Sequence, residues 1–170
     1  MKKAILILCA ALLVPFSCKK QALQSQDEVE AYVESLLDGS YRGTLQMKLF
    51  EPEAIPALLS YADDKRQISF PPVNPLSSSL LPSCSVGIYM LWTVEGIRQA
   101  DGSGKGFGYP SLTPAFRQTT CLVSEEYESE YLSSDVQAIV AKAYRTWWAS
   151  GSFSAIKDKD PMDGTGLAWQ

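Results

Sequence analysis

Apolar positions recur at helical spacing in four stretches of the chain, and one of them is apolar enough to organise the others. Residues 86–98 (VGIYMLWTVEGIR) place Val86, Tyr89, Met90, Thr93, Val94 and Ile97 on one face. A helix of this kind has to be covered by its neighbours, so it is the expected spine of a single core. Helices are predicted over 28–38, 54–63, 85–99 and 135–149. They are expected to bury Val29, Leu36, Leu58, Leu59, Val86, Met90, Val94, Ile97, Val136, Ile139, Val140 and Ala143.

Local signals mark the ends of these helices. Asp27 with Glu30 three residues on reads as the start of the first, and Gly39 stands where a C-terminal cap belongs. Pro52 suits the first turn of the second, whose face is Ile55, Leu58, Leu59 and Ala62. Pro56 either starts that helix or kinks it. In the last helix Tyr144 and Trp147 extend the stripe of Val136, Ile139, Val140 and Ala143, and Gly151 ends it. Residues 63–83 carry Pro71, Pro72, Pro75 and Pro82 and are expected as a long loop held down by Phe70, Val73, Leu76, Leu80 and Leu81. A second long loop, 101–114, is rich in glycine. The tail after residue 151 is expected to be turn-rich and pinned by Phe153, Ile156, Leu167 and Trp169.

The N-terminus adds a destination. Lys2 and Lys3 precede an apolar run over 4–14 that is too short to span a bilayer and fits a secretory signal core. Ser17 directly before Cys18 reads as a bacterial lipoprotein signal, although Pro15 stands where Leu is usual. The expected organisation is a signal peptide over 1–17, a polar tether over 18–26 anchored by a fatty acid such as palmitate at Cys18, and one domain over 27–170. The tether lacks acidic residues after Cys18, which favours a periplasm-facing envelope location. Cys84 and Cys121 remain in the exported chain, as candidates for one disulfide or as buried free thiols.

Composition removes more chemistry than it adds. The chain of 170 residues is 46% hydrophobic and 20% charged, as expected of a single globular domain. Its net charge of −4 supplies no basic field for nucleic acid. It contains no histidine, which removes the commonest general base, the commonest zinc ligand and every Ser–His or Cys–His pair. Gly104-Lys105 lacks the spacing of a phosphate loop. The Asp158, Asp160, Asp163 series fails as a calcium loop, because Trp169 stands where a bidentate Glu is needed. Glu125, Glu126, Glu128 and Glu130 read as a solvated acidic face. No cofactor, metal or catalytic residue is expected.

The helix around AIPALLSYADD, the ending AYRTWW and the DP-x-x-GTG-x-x-W tail together resemble HEAT-related helical-hairpin proteins, and most closely small bacterial lipoproteins of unknown function. The resemblance implies an all-α fold of compact right-handed α-α hairpins, here interrupted by the Pro-rich and Gly-rich loops. It implies no activity or ligand.

Two function classes follow. One is a lipid-anchored envelope binding or scaffold protein acting through protein or glycan contact. The other is an envelope hydrolase using Glu95 or Asp135, or a serine from 77–79. The missing nucleophile and base signatures favour the first. Trp147 and Trp148 are adjacent and cannot share one environment. Trp148, with Arg145 one turn back, is therefore the expected border of an interaction surface.

Overall fold

The computed structural model describes residues 14–41, 47–72, 83–100, 116–118 and 134–169. The signal core, the loop over 73–82 with its serines, the Gly-rich loop, the acidic run and Cys121 lie outside these residues. The side chains of Cys18 and Asp135 do as well.

The described chain is dominated by helices. Helix α1 (Val14–Leu37) buries Val29, Tyr32, Val33 and Leu36, a stripe at three- and four-residue steps. It starts well before Asp27, so that residue lies inside the helix and caps nothing. Residues 18–26 continue it because they contain neither glycine nor proline. Gly39 closes it with φ +71, a left-handed conformation that glycine adopts without strain.

Pro52–Ala54 form a 3₁₀ turn leading into α2 (Ile55–Ser60), which buries Ile55, Ala57, Leu58 and Leu59. Pro56 sits in the first turn of α2, where its missing N–H is not needed, and no kink results. After the turn at 61–66, β1 (Gln67–Ser69) pairs antiparallel with β2 (Ser83–Ser85), Ile68 opposite Cys84. Phe70, expected to pack its loop down, is instead 79% exposed. Its backbone has φ +51, in the left-handed region, just before Pro71.

Helix α3 (Val86–Gln99) follows β2 directly and is buried from Val86 to Ile97. Ser85 caps it, accepting a hydrogen bond from the Ile88 N–H at 3.3 Å. The N–H groups of Val86 and Gly87 reach the carbonyls of Arg66 and Asp64 at 2.8 and 2.9 Å. The helix thus enters the core with its first donors satisfied. Cys84 is a buried free thiol, and burial pushes its pKa up to about 12.

Helix α4 (Ser134–Ala149) packs on α3 and α2, and α5 (Phe153–Ile156) folds back on α4. The expected stripe of α4 is corrected here. Ile139 is 49% exposed, Val136 and Ala143 are only half-buried, and the buried face is Gln137, Val140, Ala141, Tyr144 and Trp147. The reason is polar. The Gln137 amide donates to the Ala62 carbonyl at 2.9 Å and the Asp64 carbonyl at 3.1 Å, and accepts from the Ser85 hydroxyl at 2.9 Å. Satisfying those buried groups outweighs burying one more isoleucine.

The chain ends in β4 (Leu167–Trp169), paired antiparallel with β3 (Phe116–Gln118). Two small two-stranded ladders therefore accompany the helices. In the tail Ile156 and Leu167 are buried, and Phe153 and Trp169 half-buried. No helix among the described residues is long and apolar enough to cross a membrane.

Candidate functional site

Glu95, the carboxylate that the hydrolase reading would use, lies in the core at 2% exposure. Its Oε1 accepts from the Arg98 guanidinium and from Gln99 Nε2 at 2.7 Å. Its Oε2 accepts from Arg98 Nε at 2.9 Å and from the Tyr144 hydroxyl at 2.7 Å. Trp169 Nε1 in turn donates to the Tyr144 oxygen at 2.8 Å, and Arg98 Nη1 to the Lys157 carbonyl at 3.1 Å. Burial, then the Glu95 charge, raises the Tyr144 pKa well above its usual value. The Glu95 hydrogen bonds raise that of Arg98. Both carboxylate oxygens are occupied from within the protein, so the cluster ties α3, α4 and the tail together and offers no group to a substrate.

Arg145 reaches from α4 to α2 and the turn after it. Arg145 Nη1 pairs with Asp63 at 2.7 Å, and Nη2 donates to the Leu59 carbonyl at 3.2 Å. Trp148 is half-buried against the core, its ring 6.0 Å from that of Trp147. Arg145, expected to border a surface, therefore also holds α4 to α2 and the turn after it.

An opening lies on another side of α4. At about 100° per residue, Ile139, Ala143, Thr146 and Ser150 form one outward row, with Lys142 beside it. That row faces the tail loop carrying Lys159, Asp160, Pro161, Asp163 and Thr165, with Trp147 at the base, and encloses a groove of about 700 Å³. The loop is a firm wall. Asp160 Oδ1 accepts from the Met162 N–H at 2.9 Å, and the Thr165 hydroxyl donates to the Met162 carbonyl at 2.7 Å. Gly164 and Gly166 make its turns at φ +76 and +75, and buried Ile156, Pro161 and Met162 pin it below. Trp147 Nε1 donates to the Ile156 carbonyl at 2.9 Å, so its polar edge is spent inside the protein.

The groove combines an exposed aliphatic rim with charges of both signs. Lys142, Lys159 and Asp163 make no ion pair among the described residues. This arrangement has the chemistry to suit a ligand with both apolar and charged groups, and among the described residues it aligns no nucleophile with a base. Sequence periodicity missed it because it treats Ile139 as core, and because the facing wall comes from a loop without periodicity. The one available signal was that α4 carries more apolar positions than a single face can bury.

A family model described as "Domain of unknown function (DUF4943)" matches residues 24–170. No curated protein and no solved structure matches the chain.

Proposed function

We propose, for a chain that belongs to the DUF4943 family, a binding role in the cell envelope rather than catalysis. The protein is held to the membrane by a lipid on Cys18 and takes a partner polypeptide into the groove between α4 and the 159–165 loop. The observation that carries this reading is the half-exposed Ile139 on an open groove of about 700 Å³ flanked by Lys142 and Lys159. An aliphatic anchor ringed by charges suits a peptide segment. A glycan is less well served, because the groove's one aromatic ring, Trp147, is almost buried with its N–H bonded inward. The occupied oxygens of Glu95 support binding over hydrolysis. The consecutive packing of α1 on α2, α2 on α3 and α3 on α4 supports hairpins of the HEAT-like kind.

The test is capture of envelope proteins by the anchored protein, followed by direct binding of the identified partner to purified protein. Ile139→Arg should weaken that binding about tenfold or more while leaving the thermal midpoint nearly unchanged. Undiminished binding would remove the groove from the proposal. The anchor is tested separately: wild type should label with a fatty-acid analogue and Cys18→Ala should not.

A further inference from the structure

A second cleft lies where α1 meets the segment before α2, remote in sequence from the groove. It holds about 390 Å³ and is lined by Ser25, Glu28, Leu49, Phe50, Glu51 and Glu53. Three glutamates line it, and Leu49 stands 50% exposed. Among the described residues one ammonium answers them: Lys48 Nζ pairs with Glu28 at 2.7 Å. The same Nζ lies 4.8 Å from the ring centre of Phe50 and 5.9 Å from that of Tyr32. Tyr32, Phe50 and Tyr41 hold one another edge to face, with centroids 5.4 Å and 5.0 Å from Tyr32. The aromatic wall is therefore fixed.

This is cation-recognition chemistry with an internal occupant. An aromatic face and a carboxylate stabilise an ammonium together, and Lys48 marks where that ammonium sits. Glu51 and Glu53 form no ion pair among the described residues, so within those residues two carboxylates remain after Lys48 has been set against Glu28. The Lys48 side chain is still 33% exposed, so it can swing out to solvent without unfolding anything.

We infer that this cleft binds a lysine side chain of a partner polypeptide, with Lys48 as the resident competitor that gives way. The partner ammonium takes the place over Phe50 beside Glu28. Glu51 and Glu53 receive the neighbouring positive charge, and Leu49 covers the alkyl stem. Lys48, tethered in place, is present at high effective concentration and keeps the site from capturing free amines.

The experiment is amide-resolved NMR titration of the full-length protein with tetralysine, and with fully acetylated tetralysine as the neutral control. Tetralysine should shift Glu28, Phe50 and Glu53 first, and the acetylated peptide should not. Glu51→Gln with Glu53→Gln should weaken tetralysine about three- to tenfold without moving the thermal midpoint. Lys48→Ala should strengthen it several-fold, and more than Lys157→Ala, which removes the same charge away from the cleft. Shifts spread evenly over the acidic surface, equal binding of the acetylated peptide, or weaker binding by Lys48→Ala would each overturn the assignment. So would capture of amine-headgroup vesicles with no response to the peptide.

Discussion

Gly87 has no room for a methyl group. A Cβ there would stand 2.1 Å from Gln137 Nε2 and 2.4 Å from the Ala62 carbonyl oxygen. Neither can retreat cheaply, since the amide is held by three hydrogen bonds and the carbonyl belongs to the turn that α3 caps. Gly87→Ala should therefore cost about 3 kcal/mol or more, read as a fall in the denaturant midpoint. Phe70 presents the opposite case, a bulky side chain in left-handed backbone with its ring in water. Asparagine tolerates that conformation, so Phe70→Asn should stabilise the protein by up to about 1 kcal/mol, seen as a higher thermal midpoint. An unchanged or lower midpoint would mean that the ring contributes a contact worth more than the strain it carries.

Helices differ in how much of themselves they declare in sequence. Helix α3 was legible in extent and on its expected face, where Val86, Met90, Val94 and Ile97 are buried, but the burial of its other face, with Ile88, Leu91, Trp92 and Glu95, was not. Helix α4 was legible in extent and not in phase. Two stripes share Val140, Tyr144 and Trp147, and the choice between them rests on Gln137, whose buried partners come from residues 62, 64 and 85. Side-chain periodicity carries no information about carbonyls that distant. The three-residue strands were illegible for a related reason, since each exists only by pairing with a segment far along the chain. The groove inherits this, being half helix and half loop. A pair of variants separates the two phases of α4. Ile139→Ala should cost under about 1 kcal/mol, as for a surface position. Gln137→Leu, nearly the same size, should cost about 1–3 kcal/mol by stranding buried polar groups. Equal losses in urea titrations would contradict the observed phase.

Taken whole, the molecule stores part of its stability in protons. Below pH 9 the Cys84 thiol is protonated whether the chain is folded or not, and its burial costs nothing electrostatic. Above its usual value of 9.0 the unfolded chain releases that proton, while the folded one holds it to about 12. The unfolded state then binds fewer protons, so stability falls as pH rises, by up to about 1.4 kcal/mol per unit. Tyr89 and Tyr144, both raised by burial, add to the loss above pH 10. Denaturation between pH 8 and 11 should show an onset near 9, and Cys84→Ala should flatten the curve between 9 and 10 even though it lowers stability at neutrality. The unbroken course of α1 bears on the molecule's behaviour at a membrane. With Cys18 acylated as proposed, residues 18–26 stand as helix and lift the domain by about 14 Å. A Gly/Ser chain of the same length would average a similar reach, roughly 16 Å. The difference lies in stiffness: a helix holds the domain at one orientation to its acylated residue, whereas a Gly/Ser chain would leave the two free of each other. The end of the domain at the foot of that helix would then stay close to the bilayer and out of a partner's reach.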